Sequence, residues 1–158
     1  MDEEVQALAA RLVRRLKEVK ATITVAESCT GGLLASTLTD ISGASGWFGQ
    51  SWVCYSYDSK VNELNVERDI LESKGAVNAA VAIQMAEGAR NRSGADIAIS
   101  ITGIAGPIAL NSNKPVGLVY VGIASAHWAN AESVQMGGTR QEKSMNTLTL
   151  TLSGMQNN

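Results

Sequence analysis

The chain has 158 residues, about the size of one domain, with 45% hydrophobic and 18% charged residues, two prolines and a formal net charge of -2. That balance excludes the strongly basic footprint of a dedicated nucleic-acid binder. Two cysteines (Cys29 and Cys54) and one histidine (His127) are too few for a zinc site, and no apolar run is long enough to span a membrane. The acidic start, Met1-Asp2-Glu3-Glu4, lacks the marks of a signal peptide, so the composition predicts one cytoplasmic domain over 1–158 with reduced thiols.

Val5, Leu8, Ala9, Leu12, Val13, Leu16 and Val19 recur at helical spacing with charged residues between them, which predicts an amphipathic first helix. The β-branched run ATITVA (21–26) reads as a buried strand, and GGLLASTLTDI after it as a helix ended by SGASG (42–46). SWVCYSY (51–57) reads as a second strand from its aromatic and β-branched content, with Asp58 capping a short helix that turns Val61 and Leu64 inward. RDILESKG (68–75) is a short helix closed by Gly75; Asn78 caps a longer one with Val81, Met85 and Ala89 on one face. DIAISITG (96–103), VGLVYVGIAS (116–125) and ESVQMGG (132–138) read as strands, and the period-2 alternation of NTLTLTL (146–152) favours a strand there too.

Strands alternating with helices predict an α/β fold, a three-layer α/β/α sandwich with a mostly parallel sheet. In such sheets sites gather at the carboxyl ends of strands, where three polar or glycine-rich stretches fall: 27–32, 55–60 and 102–107.

Ser28, at a strand-to-helix turn, would display its hydroxyl beside the amides of a helix N-terminus, an arrangement suited to acyl transfer. Ser, Thr and Gly before a helix are more often plain capping residues, so residue type alone favours the cap. A serine nucleophile needs a base. His127 has nothing adjacent to support that role, whereas Lys60, in the first turn of a helix, would have its ammonium form disfavoured by burial and by the helix dipole. Tyr55 could relay a proton or orient the lysine. Each reading competes with a bland one, a solvated lysine and a half-buried strand tyrosine. ITGIAGP (101–107) offers Gly103 and Gly106 as a backbone nest for an anion, Arg140 a bidentate phosphate contact, and Cys29 a rival nucleophile that lacks a convincing histidine and reads more readily as a buried small residue.

The blocks AESCTGG, YS-x-x-x-K, GAV, A-x-x-MAEGAR, A-x-x-ITGIAGP and KPVGLVYVGIA, in this order, make the chain resemble the CinA C-terminal domain family over residues 5 to 152. That family includes stand-alone nicotinamide-nucleotide amidases (PncC-like). The resemblance implies hydrolysis of nicotinamide mononucleotide to nicotinate mononucleotide and ammonia by an α/β/α homodimer, without metal or cofactor and without nucleic-acid or membrane partners. By position it implies Ser28 as nucleophile, Lys60 as base and Tyr55 as its assistant. It implies substrate contacts from Cys29, Thr30, Gly31 and Gly32, from Thr102, Gly103, Ile104, Ala105 and Gly106, and from Arg140. It also makes 139–152 a helix, against the period-2 reading.

The chain departs from the family at 108–113, where Ile108, Ala109 and Leu110 replace an acidic, double-glycine loop. Asn78 stands for a capping Ser, and Ser144 for a second arginine. The departures bear on substrate more than on fold, and leave two alternatives: a nucleotide-binding or regulatory homologue with little turnover, or an amidase for another small amide.

Overall fold

All five residues of Ile23–Glu27 are buried, and the topology explains why. This strand, β1, lies between β2 (Phe48–Val53) and β3 (Ile97–Gly103) and pairs with both in parallel. The computed structural model describes residues 3–104 and 117–135. The remaining elements are α1 (Glu3–Val19), α2 (Leu33–Thr39), a short 3-10 helix (Ala44–Gly46), α3 (Tyr57–Leu64), α4 (Arg68–Lys74), α5 (Ala79–Ser93), β4 (Leu118–Ala124) and β5 (Ala129–Gln135).

Side-chain alternation along the strands sorts the interior into two cores. Ile23 and Val25 of β1 and Ile99 and Ile101 of β3 meet α1 and α2 through Leu12, Leu16, Leu34 and Leu38. Ala26 and Ala98, facing the other way, meet α3, α4 and α5 through Leu64, Leu71, Val81 and Met85. Helices therefore cover both faces, as the three-layer expectation requires. The small residues Ala26 and Ala98 let α5 sit close to the sheet. Gly88 does the same between helices, since a Cβ there would run into the backbone of Leu64.

The strand order is β2-β1-β3-β4-β5. β4 is antiparallel to β3 and β5 antiparallel to β4, so four of the five strands share one direction while two of the four pairings are antiparallel. The connection from β1 to β2 carries α2, and that from β2 to β3 carries α3 to α5 on the opposite face. β1 thus sits where the chain reverses its progress across the sheet, and its carboxyl end faces the resulting crevice.

The sequence-based boundaries hold for α1, α4 and α5, including Gly75 at φ +78 and the Asn78 cap, whose Oδ1 accepts from Val81 N at 2.9 Å. They shift around β2, which starts at Phe48 and ends at Val53, so Tyr55 lies beyond the strand. The cap of α3 is Ser56, not Asp58: Ser56 Oγ accepts from Ser59 N at 3.0 Å, and Ser59 Oγ returns a contact to Ser56 N at 3.1 Å. This reciprocal pairing outcompetes the strand propensity of the neighbouring tyrosines. β5 begins three residues earlier than expected because Ser125 N donates to Trp128 O (2.9 Å) and closes a tight turn. The departing positions 108–113, the end of the expected strand at 136–138, the segment 139–152, Ala105, Gly106 and Arg140 lie outside the described residues.

Candidate active site

β1 ends in a carboxylate, and the next residue is Ser28. Its backbone is fixed from both neighbouring strands: Cys54 N donates to Glu27 O (2.8 Å), and Ser28 N donates to Ile101 O (3.0 Å). The single peptide group between Glu27 and Ser28 is thereby held from both sides, and the serine is left 6% exposed at the sheet's carboxyl edge.

Lys60 reaches the same point from α3, where it is the fourth residue of the helix. Its side chain is 1% exposed, and its Nζ lies 3.2 Å from Ser28 Oγ, 2.7 Å from Cys54 O and 3.2 Å from Tyr55 O. Three oxygens around one amine fit two protonation states. An ammonium donates to all three. A neutral amine donates to the two carbonyls, which have no proton to give, and turns its lone pair to the only neighbour that has one, the Ser28 hydroxyl. Burial lowers the Lys60 pKa from 10.5 to about 8, against the upward pull of Cys54 and Cys29. Its place in the first turns of α3 adds an unfavourable dipole for a cation. Burial likewise raises the Cys54 thiol, opposed by Lys60. A lysine whose neutral form is favoured by burial, with one hydroxyl in reach, is arranged to remove a proton from that hydroxyl.

The structure therefore brings Ser28 and Lys60 together. Tyr55 contributes its backbone carbonyl to Lys60, while its side chain is 53% exposed. Cys29 is buried beside Ser28. Gly31 and Gly32 adopt φ +61 and +102, conformations that a side chain disfavours, and a Cβ on Gly31 would meet nothing within 4 Å. The turn is open above Gly31, whereas a Cβ on Gly32 would meet the Val53 side chain at 3.5 Å.

Of the amides at 29–32, Gly31 N is occupied, and so are the amides that follow at the start of α2. Gly31 N donates to Ser28 O (3.1 Å) and Leu33 N to Thr30 O (3.1 Å). Leu34 N and Ala35 N donate to Glu27 Oε1 and Oε2, each at 2.9 Å. The amides of Thr30 and Gly32 are left without a partner among the described residues. In the second expected segment, Gly103 is the last residue of β3 and its Cβ would strike Leu118 O, so packing of β4 accounts for that glycine. Ile104 N donates to Leu118 O (3.0 Å), which removes it from an anion nest. Thr102 is buried and spends its hydroxyl on Ala76 O (2.9 Å), and Thr30 spends its own on Glu27 Oε1 (2.6 Å).

His127 lies in the turn between β4 and β5. Ala124, at the end of β4, pairs with Ala98 at the start of β3, so this turn sits at the edge of the sheet opposite Ser28. The same opposite edge carries a pocket of about 330 Å³ lined by Thr22, Phe48, Gln50 and Gly94 among others, with no titratable side chain in its wall. Among the described residues no three His, Cys, Asp or Glu side chains gather as metal ligands, and no helix is long and apolar enough to cross a membrane.

In the sequence Glu27 is only the first residue of the polar stretch 27–32, with no role of its own. A signal was present: α2 begins after two glycines, which bring no side-chain acceptor to its free amides.

Residues 5–158 match the family model of the CinA C-terminal domain. A CinA-like protein of Chlorobium limicola is 56% identical over 111 residues, covering 70% of this chain and 26% of that protein. A putative competence-damage inducible protein of Caldicellulosiruptor saccharolyticus is 44% identical over 135 residues, covering 85% of this chain and 33% of that protein. The chain thus spans about a third or less of the length of these curated relatives. Among solved structures, the competence/damage inducible protein CihA from Agrobacterium tumefaciens is similar over 99% of this chain and 96% of its own, with a TM-score of 0.94 and 34% identity.

Proposed function

The chain belongs to the CinA C-terminal domain family, and from that premise we propose that it is an amidohydrolase that converts nicotinamide mononucleotide to nicotinate mononucleotide and ammonia. The observation that carries the proposal is the buried Lys60 Nζ, its pKa lowered to about 8, at 3.2 Å from Ser28 Oγ. A shared family supports the fold and the position of the site; the chemistry is argued from the side chains.

In this reading neutral Lys60 takes the Ser28 proton as Oγ bonds to the carboxamide carbon. The lysine then gives that proton to the departing nitrogen, the C–N bond breaks, and ammonia leaves an ester on Ser28. Water attacks the ester, Lys60 accepts its proton, and the proton returns to Oγ as the carboxylate product departs. The unpaired amides of Thr30 and Gly32 are the described backbone donors available to the developing oxyanion. Tyr55 assists Lys60, and Arg140 takes the phosphate.

Ammonia release from nicotinamide mononucleotide tests this directly. Wild type is expected to turn over, while Ser28→Ala and Lys60→Ala each fall by roughly a thousandfold or more. Substantial activity in either variant would sink the assigned roles. The replaced loop at Ile108–Leu110 and Ser144 motivate a second reading, a nucleotide-binding homologue without turnover. Thermal stabilisation by nicotinamide mononucleotide with no ammonia released would select it. The homodimer belongs to the same proposal, and a monomer in sedimentation velocity would remove it.

A further inference from the structure

We propose that Glu27 is a positioning residue for Ser28, holding the 28–32 turn in the shape that presents the hydroxyl to Lys60. The role rests on the Ser28–Lys60 reading above. Glu27 is fully buried and no lysine or arginine pairs with it among the described residues. Three donors satisfy it instead: Thr30 Oγ1 at 2.6 Å and Leu34 N at 2.9 Å on Oε1, and Ala35 N at 2.9 Å on Oε2.

A buried carboxylate is an expensive way to cap a helix, since a Ser or Asp at the cap position would serve. Here the cap position is Gly32, at φ +102, with no side-chain bond. The acceptor has been moved out of the turn and into the preceding strand. That relocation has two effects. Gly31 and Gly32 remain free of side chains, so the space above Gly31 stays open, while Gly32 faces the Val53 side chain. And the turn must wrap around one carboxylate, which grips Thr30 within it and α2 beyond it.

The Glu27 main chain completes the arrangement. Its carbonyl accepts from Cys54 N (2.8 Å), and the Cys54 carbonyl in turn accepts from Lys60 Nζ (2.7 Å). The strand segment holding the lysine and the turn following the serine are thus both anchored on Glu27, one through backbone and one through side chain. Gln in its place would turn an amide N–H₂ toward one of the three donors, so at least one bond is lost and the turn is released.

Crystal structures of wild type and Glu27→Gln test the geometry without any substrate. The Ser28 Oγ–Lys60 Nζ separation is expected to open past about 3.5 Å while the five strands superimpose. A retained contact overturns the proposal. Thr30→Val, which removes one bond to Oε1 and nearly preserves shape, serves if Glu27→Gln does not fold. On nicotinamide mononucleotide its kcat is expected to fall on the order of tenfold with KM within about twofold, as for a small misplacement of the nucleophile. A raised KM at unchanged kcat would instead make Thr30 a substrate contact and refute its positioning role. If wild type itself releases no ammonia, the amidase reading fails, and the crystallographic comparison still decides the role of Glu27.

Discussion

Lys60 is held by its surroundings nearer to its working form than a surface lysine is. With its pKa lowered to about 8, the neutral fraction at neutral pH is small but far larger than for a group titrating at 10.5. The rate at low substrate should therefore climb with pH through about 8 and level off above it, and a profile flat from 6 to 9 would count against Lys60 as the base. The same shift leaves a trace in stability. Between about 8 and 10.5 the unfolded chain keeps a proton that the folded chain has released, so this group makes the fold more stable as pH rises across that window. Below about 8 both states hold the proton and the burial penalty is at its full size. Cys54 runs the other way, because its raised pKa keeps the folded thiol protonated above 9.0. Comparing wild type with Lys60→Met by urea unfolding removes the thiol's contribution to first order. Wild type should gain on the variant by up to about 3 kcal/mol between pH 8 and 10.5.

Among the elements, α3 decides whether Lys60 arrives at all. It has eight residues, and its start is fixed by the Ser56–Ser59 pair. Ser56→Ala should lower stability by about 1 kcal/mol in urea unfolding. It should also reduce amidase activity by more than the unfolded fraction explains, because the lysine sits one residue beyond the cap's partner. Equal losses in Asn78→Ala, which uncaps α5, would show that any frayed helix has this effect. The contrast between these two caps shows what the sequence could convey. Asn78 sits directly before a helical pattern and was legible as a cap. Ser56 lies inside YSY, where aromatic neighbours suggest strand, and only its side-chain exchange with Ser59 reveals the helix start. Ser28 and Lys60 were legible as a pair through the family resemblance, since their separation of 32 positions carries no local spacing signal. Glu27 was not, because what a carboxylate at a strand's end accepts depends on how the next turn folds back.

On the scale of the molecule, the alternation of strands and helices was within reach of pattern reasoning, but the strand order and the mixed pairing of the last strands were not. An apolar run such as β4 looks the same whether its neighbours run parallel or antiparallel to it. The order that resulted puts β2 at the edge, bonded to one neighbour and with Gly49, Gln50 and Val53 exposed, while β1 and β3 are bonded on both sides. Ser28 follows an interior strand, and Lys60 is suspended from the peptide groups just after the edge strand. The two halves of the site therefore belong to regions that should open at different rates. In native-state hydrogen exchange the Cys54 amide should lose protection well before the amides of β3, and equal protection would mean that the sheet opens only as a whole. Gentle warming would then unhook the base from the nucleophile in a molecule whose interior is still intact, so activity should fade below the melting temperature and return on cooling.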